Sequence, residues 1–224
     1  MKKSILASSF IVAIIVSAPI LADKFNAEVK GEYETWSSGI GGQSTALLYG
    51  AGLAYHQDKM FYGGGFVLGN YDMDSDTGKD LKRMDVDLVA GYRLDHMWSA
   101  FAGYRFNQMN YTSQSGTSDF DENTHGLGGG IALNQVIDAQ WVAFGSAALS
   151  LLSTETEYKD SSLDSDPGIG FSIGVEGGAL YRINKTTNTA LRIKYQTTRI
   201  NYDDSGVEWP HSYVRFGVSL NHSF

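Results

Sequence analysis

The chain has no cysteine and only 3 prolines in 224 residues. Without thiols there is no disulfide framework, no thiolate metal site and no cysteine nucleophile. A long apolar run is missing as well. After residue 22 nothing approaches the roughly eighteen consecutive apolar residues of a membrane-crossing helix, which excludes a helical membrane protein. Basic residues are in the minority, 17 Lys and Arg against 25 Asp and Glu, for a formal charge of −8. Taking away Lys2 and Lys3 with an N-terminal leader lowers it to −10, which disfavours nucleic acid or anionic lipid held through a broad basic patch.

What the chain does have is 26 glycines and 13 tyrosines, a composition that points to strands with aromatic faces and small inward residues. Residues 1–22 read as a cleaved signal peptide: Lys2 and Lys3 form a positive start, Ile5 to Val16 an apolar core too short to span a bilayer, and small residues lead to a cut after Ala22. Residues 23–224 are then expected to form one domain.

That domain is a succession of period-two segments, the pattern of strands whose two faces meet different surroundings. Phe25, Ala27, Val29, Gly31 and Tyr33 share one face, while Asn26, Glu28, Lys30, Glu32 and Glu34 share the other. Farther on, Met84, Val86, Leu88, Ala90 and Tyr92 oppose Arg83, Asp85, Asp87 and Arg93, and Leu191, Ile193 and Tyr195 oppose Arg192, Lys194 and Gln196. Ten strands are predicted at roughly 25–36, 44–55, 60–71, 82–94, 97–110, 124–134, 139–152, 168–182, 189–200 and 211–224, with eight as the alternative count.

The connections alternate in length. Short turns at 56–59, 95–96, 135–138 and 184–188 separate longer polar runs at 37–43, 72–81, 113–123, 153–167 and 201–210. Short periplasmic turns alternating with longer external loops, with both termini periplasmic, is the topology of a transmembrane antiparallel up-and-down β-barrel. Tyr55, Phe61, Tyr62, Tyr92, Trp98, Trp141, Tyr181 and Phe224 fall at the expected periplasmic ends, as an aromatic girdle does. The face opposite the apolar one then lines the lumen and carries Glu28, Lys30, Glu32, Glu34, Arg83, Asp85, Asp87, Arg93, Arg105, Glu176, Arg182, Arg192, Lys194 and Arg215. Mixed signs in a narrow barrel are expected to pair with one another and fill the interior, with glycines making room for them. A narrow polar channel threading that interior is the alternative.

Phe224 ends the chain, and Val214, Phe216, Val218 and Leu220 precede it at even spacing, interrupted by His222. This resembles the terminal signature of small Gram-negative outer-membrane barrels of the opacity-type and porin-like class. The resemblance implies recognition by the barrel-assembly machinery and a place in the outer membrane among lipid and lipopolysaccharide.

Chemistry is harder to assemble. Asp72, Asp74 and Asp76 alternate as carboxylates in a calcium loop do, but Gly78 is displaced and the distal bidentate Glu is missing, so a loop-bound divalent cation competes with a solvated acidic loop. Omptin proteases share the ten-strand topology and use an Asp pair facing an Asp–His pair. Asp72 and Asp74 mimic the first pair, yet loop 153–167 has no histidine and His211 belongs to another loop. Lipid-A deacylase barrels use a rim His and Ser, but His211 and Ser212, like His125 and Thr124, are adjacent on strands and point to opposite faces. The expectation is therefore a non-enzymatic barrel without a cofactor or a nucleic-acid partner. It would present acidic loops for surface interaction, adhesion or envelope stability. A narrow porin-like channel stands as the alternative, and a lipid- or peptide-modifying enzyme as a third, remoter reading.

Overall fold

The computed structural model describes residues 24–38, 43–72, 79–113, 119–158, 166–202 and 208–224. The leader at 1–22, Asp74, Asp76 and the tips of the five longer connections lie outside the described residues. Ten strands form the fold: β1 (Lys24–Ser38), β2 (Gln43–Gln57), β3 (Met60–Asp72), β4 (Lys79–Arg93), β5 (Trp98–Ser113), β6 (Phe120–Val136), β7 (Trp141–Tyr158), β8 (Asp166–Arg182), β9 (Thr187–Tyr202) and β10 (Glu208–Ser223). Each pairs antiparallel with its sequence neighbours, and β1 pairs with β10 from Asn26↔Ser223 to Ser38↔His211, which closes the barrel. Closure leaves no unpaired edge.

The strands outrun the sequence-based boundaries, chiefly at the end that carries the longer connections. β7 runs 18 residues, to Tyr158, and β6 begins at Phe120, whereas about 9–11 residues at a tilt cross a hydrocarbon core. The extra length comes from polar residues that still alternate, such as Thr154, Glu155, Thr156 and Glu157, and hydrophobicity alone does not register these as strand. Pro210 is tolerated inside β10 because it lies beyond His211, where the β1 ladder stops, and it pairs only with Arg199 of β9.

The alternation puts large apolar residues outside and charge inside. Leu47 is 70% exposed, Leu151 73% and Ile169 66%, while Glu34 and Asp85 are 0% exposed. No protein in water alone would keep such a belt open, since contiguous exposed apolar surface of this extent marks contact with another apolar phase. Phe216, Val218, Leu220 and Phe224 all lie on this outer face. One girdle residue is corrected: Phe61 is 5% exposed and points into the lumen. Neighbouring residues on a strand face opposite ways, and Tyr62 takes the outside position, on the same outer face as Trp98 and Trp141.

Three of the four short connections share one device. Asp95 accepts from the N–H groups of Met97 and Trp98 at 2.7 Å each, Asp138 from Gln140 at 2.7 Å and Trp141 at 2.8 Å, and Asn184 from Thr186 at 2.9 Å and Thr187 at 2.8 Å. A short polar side chain that bonds the backbone two and three residues on fixes the reversal and with it the register of both flanking strands. In the β2–β3 turn, Asp58 instead adopts φ 50°, a left-handed conformation that Asp accepts more readily than bulkier residues.

The N–H groups of Trp98 and Met97 hold the exposed Asp95 carboxyl below the usual aspartate value. A depressed folded value means that the turn's stabilisation is present above the unfolded aspartate pKa and is lost as pH falls through the folded one. An NMR titration should therefore find the Asp95 midpoint below that of a peptide aspartate. An ordinary midpoint would show that the turn does not favour the carboxylate.

Candidate functional site

The lumen is organised in three layers, built from the side chains that alternation sends inward. In the central layer, Arg83 Nε donates to Asp85 Oδ1 at 2.8 Å, and its Nη1 donates to Glu34 Oε1 at 2.9 Å and to Tyr71 Oη at 2.7 Å. Arg215 Nε reaches Glu34 Oε2 at 2.7 Å, and its Nη1 reaches Glu32 Oε2 at 3.0 Å. Tyr71 also donates to Glu34. Arg105 grips Asp87 with two nitrogens, one bond measuring 2.7 Å, and Arg192 pairs with Glu28 and donates to Ser219 Oγ at 2.8 Å. The Tyr213 ring serves three cations: Arg215 Cζ at 5.1 Å, Lys194 Nζ at 5.4 Å and Arg83 Cζ at 5.7 Å.

Register explains part of this. Asp87 lies opposite Arg105, Asp85 opposite Asn107, and Glu34 opposite Arg215. The Arg83–Glu34 pair is of another kind, because β1 and β4 are separated by β2 and β3. Between them the inward positions are Ala46, Leu48, Gly69 and Tyr71, and the long arms from β1 and β4 meet in front of this wall; Gly50, Gly52, Gly63 and Gly65 lie nearer the short turns. At Gly50 a Cβ would already press on Lys30 and Val67.

Toward the short turns the lumen is floored by three phenylalanines. Phe61 sits opposite Gly91, Phe101 opposite Gly130 and Phe144 opposite Gly178. In each case a Cβ on the glycine would strike the ring, so each ring lies flat over a neighbour that lacks a side chain. Toward the longer loops, Trp36, Leu48, Tyr71, Leu81, Met109, Tyr111, Phe120 and Tyr213 belong to one buried cluster. It faces a wall of hydroxyls and amides in which Gln196 donates to Ser172 Oγ at 2.6 Å and Thr124 bonds Thr154 at 2.9 Å.

Of the lumenal residues read from sequence, the structure joins Glu28, Glu32, Glu34, Arg83, Asp85, Asp87, Arg105, Arg192 and Arg215 in ion pairs. Lys30, Glu176 and Lys194 face the same interior with no ion pair among the described residues, and Arg93 and Arg182 are half-buried at the turn end. Tyr71, Asn107, Tyr213 and the phenylalanine floor escaped sequence reasoning. Parity with the charged positions was the one signal that could have placed them. Asp72 closes β3, and among the described residues no three His, Asp or Glu side chains converge as metal ligands. His211 is buried on the inner face, stacked on Trp36 at 5.8 Å, and neither ring nitrogen has a hydrogen-bond partner among the described residues. His125 faces outward and bonds Tyr104 Oη at 2.6 Å, while Thr124 is turned inward to Thr154.

No protein-family profile and no curated protein matches the sequence. Solved structures do. The outer membrane protease OmpT from Escherichia coli superposes with a TM-score of 0.58 at 12% identity, over 93% of this chain and 100% of that one. The β domain of the Bordetella autotransporter BrkA gives 0.54 at 13% identity, over 88% of this chain and 98% of that one. Likeness at such identities concerns the fold: this chain is a closed ten-stranded antiparallel barrel of the outer-membrane kind.

Proposed function

We propose that the protein is a non-enzymatic outer-membrane barrel with a closed lumen, acting through the loops that its extended strands carry outward. The observation that supports this most directly is the filled interior, where a network of arginine–carboxylate pairs lies between a phenylalanine floor and an aromatic cap. The turn end is then periplasmic and the apolar belt faces lipid, with lipopolysaccharide around the outer rim. Phe216, Val218, Leu220 and Phe224, on the outer face of the last strand, are the segment offered to the assembly machinery. The acidic loops serve surface interaction, adhesion or envelope stability, and Asp72, Asp74 and Asp76 are the candidate ligands for a loop-bound divalent cation.

The refolded protein in planar bilayers should be silent, and replacing residues 159–165 by a short turn should leave the barrel folded while lowering adherence of whole cells. A narrow channel for ions or small solutes is the second reading, favoured by a small cavity beside Lys30. Discrete conductance steps whose cation selectivity rises in Arg93→Glu and Arg192→Glu variants would establish it in place of the closed barrel.

A further inference from the structure

Three of the short turns place a large aliphatic residue at the same point. Leu94, Ile137 and Ile183 are the first residues past the ends of β4, β6 and β8, and they are 53%, 63% and 53% exposed. One exposed aliphatic side chain is ordinary, but the same one repeated at equivalent positions along one rim is a surface. Each continues the outward parity of its strand. Leu94 follows Leu88 and Tyr92, Ile137 follows Leu127 and Ile131, and Ile183 follows Ile173 and Val175, so the turns prolong the apolar belt. Trp98 and Trp141, which open the strands after two of these turns, lie on the same outer face, where indole rings settle at a membrane interface.

The backbone of these turns is also suited to leaving water. Leu94 and Asp95 donate their N–H groups to the Trp98 carbonyl at 2.9 and 3.3 Å, while Met97 and Trp98 donate to the Asp95 side chain. Ile137 and Asp138 do the same toward Trp141, and Ile183 and Asn184 toward Thr187, with Asp138 and Asn184 as the side-chain acceptors. All but the apical N–H of each turn are thus bonded within it, as polar backbone at the edge of hydrocarbon requires. The apices carry His96, Ala139 and Lys185, and the long arm of Lys185 can keep its charge among headgroups. The β2–β3 turn differs: Gln57, Asp58 and Lys59 are polar and exposed.

We propose that the β4–β5, β6–β7 and β8–β9 turns are embedded in the phospholipid leaflet at the turn end of the barrel. Leu94, Ile137 and Ile183 enter the upper part of the acyl chains, the turn apices stay at headgroup level, and the β2–β3 turn stands in water. Continuity with the lipid-facing belt selects lipid as the occupant over a protein docked on the rim. The inference rests on the reading of the chain as a membrane-spanning barrel.

The test uses the full mature barrel, which has no native cysteine to compete for a label. Leu94→Cys, Ile137→Cys, Ile183→Cys and Gln57→Cys each take one bimane fluorophore, and the barrels are refolded into phosphatidylcholine vesicles. Labels at 94, 137 and 183 should lose fluorescence when the lipid is brominated near the top of its acyl chains, and should resist iodide present on both sides of the bilayer. The label at 57 should behave in the opposite way. Phe66→Cys, on the exposed belt of β3, separates the two levels of the argument. Turn labels quenched by iodide as strongly as the one at 57 and untouched by brominated lipid, with the label at 66 quenched by that lipid, would overturn the proposal, leave the barrel in the membrane and turn the rim over to a protein partner. A label at 66 that also escapes brominated lipid would overturn the membrane-spanning reading and the proposal together.

Discussion

Replacing Arg215 by methionine should destabilise the barrel by about 3–5 kcal/mol, the usual cost of removing one member of a buried ionic cluster. Arg215 is the shared donor for Glu32 and Glu34, with Asp85 Oδ2 a further 3.6 Å contact, and all of these carboxylates are at least 95% buried. Methionine fills similar volume but leaves two acids without their main partner in a low-dielectric interior. Urea unfolding from lipid vesicles, followed by tryptophan fluorescence, measures the loss. Adding Glu34→Gln to Arg215→Met should recover part of it, because fewer charges then remain unpaired. Arg93→Met, at the half-buried turn end, should change stability by no more than about 0.5 kcal/mol. Equal effects for Arg93 and Arg215 would mean that the network carries no particular weight.

The floor should give the second large effect, through non-additivity. Phe61→Ala should cost about 3–5 kcal/mol, the range for deleting a buried ring. Gly91→Ala should cost about 1–3 kcal/mol by overpacking, since the three atoms nearest its Cβ would all belong to the Phe61 ring. In the double variant the added methyl enters space the ring has left, so the combined loss should fall below the sum by at least about 0.5 kcal/mol. Additive losses would show that the ring does not rest on Gly91. Because the ring also closes the turn end of the lumen, Phe61→Ala should admit thiol reagents to a cysteine placed at Ala54, with no native cysteine to interfere.

Much of this architecture was legible in the residue order. Glu28 to Glu34 alternate with Val29, Gly31 and Tyr33, and Arg83 to Asp87 with Met84 and Val86. Those short stretches already separate a lipid-facing side from a lumenal one. The turn residues Asp95, Asp138 and Asn184 mark reversals through bonds to their own local backbone, which is why the strand count could be read as ten. Strand ends were less legible. Beyond the apolar belt the outer face becomes polar, so Thr154 to Glu157 and Phe120 to Asn123 carry no contrast between faces, although their backbones continue to pair.

The candidate site divides along the same physical line. Period-two alternation is local, so the sequence by itself determined that these charges share the inner face, that the belt is apolar and that the chain reverses nine times. Which charges meet is not local. Glu34 finds Arg83 only because the closed barrel lets side chains from β1 and β4 meet in the lumen in front of β2 and β3. Asp87 meets Arg105 directly across the ladder, whereas Glu28 reaches Arg192 across β10, and Lys194 forms no ion pair among the described residues although the register sets Glu176 opposite it. Phe61 could be placed as a floor residue only once the β2–β3 turn had set its parity. Those outcomes depend on strand register and barrel closure, which are properties of all ten strands together and of no segment alone.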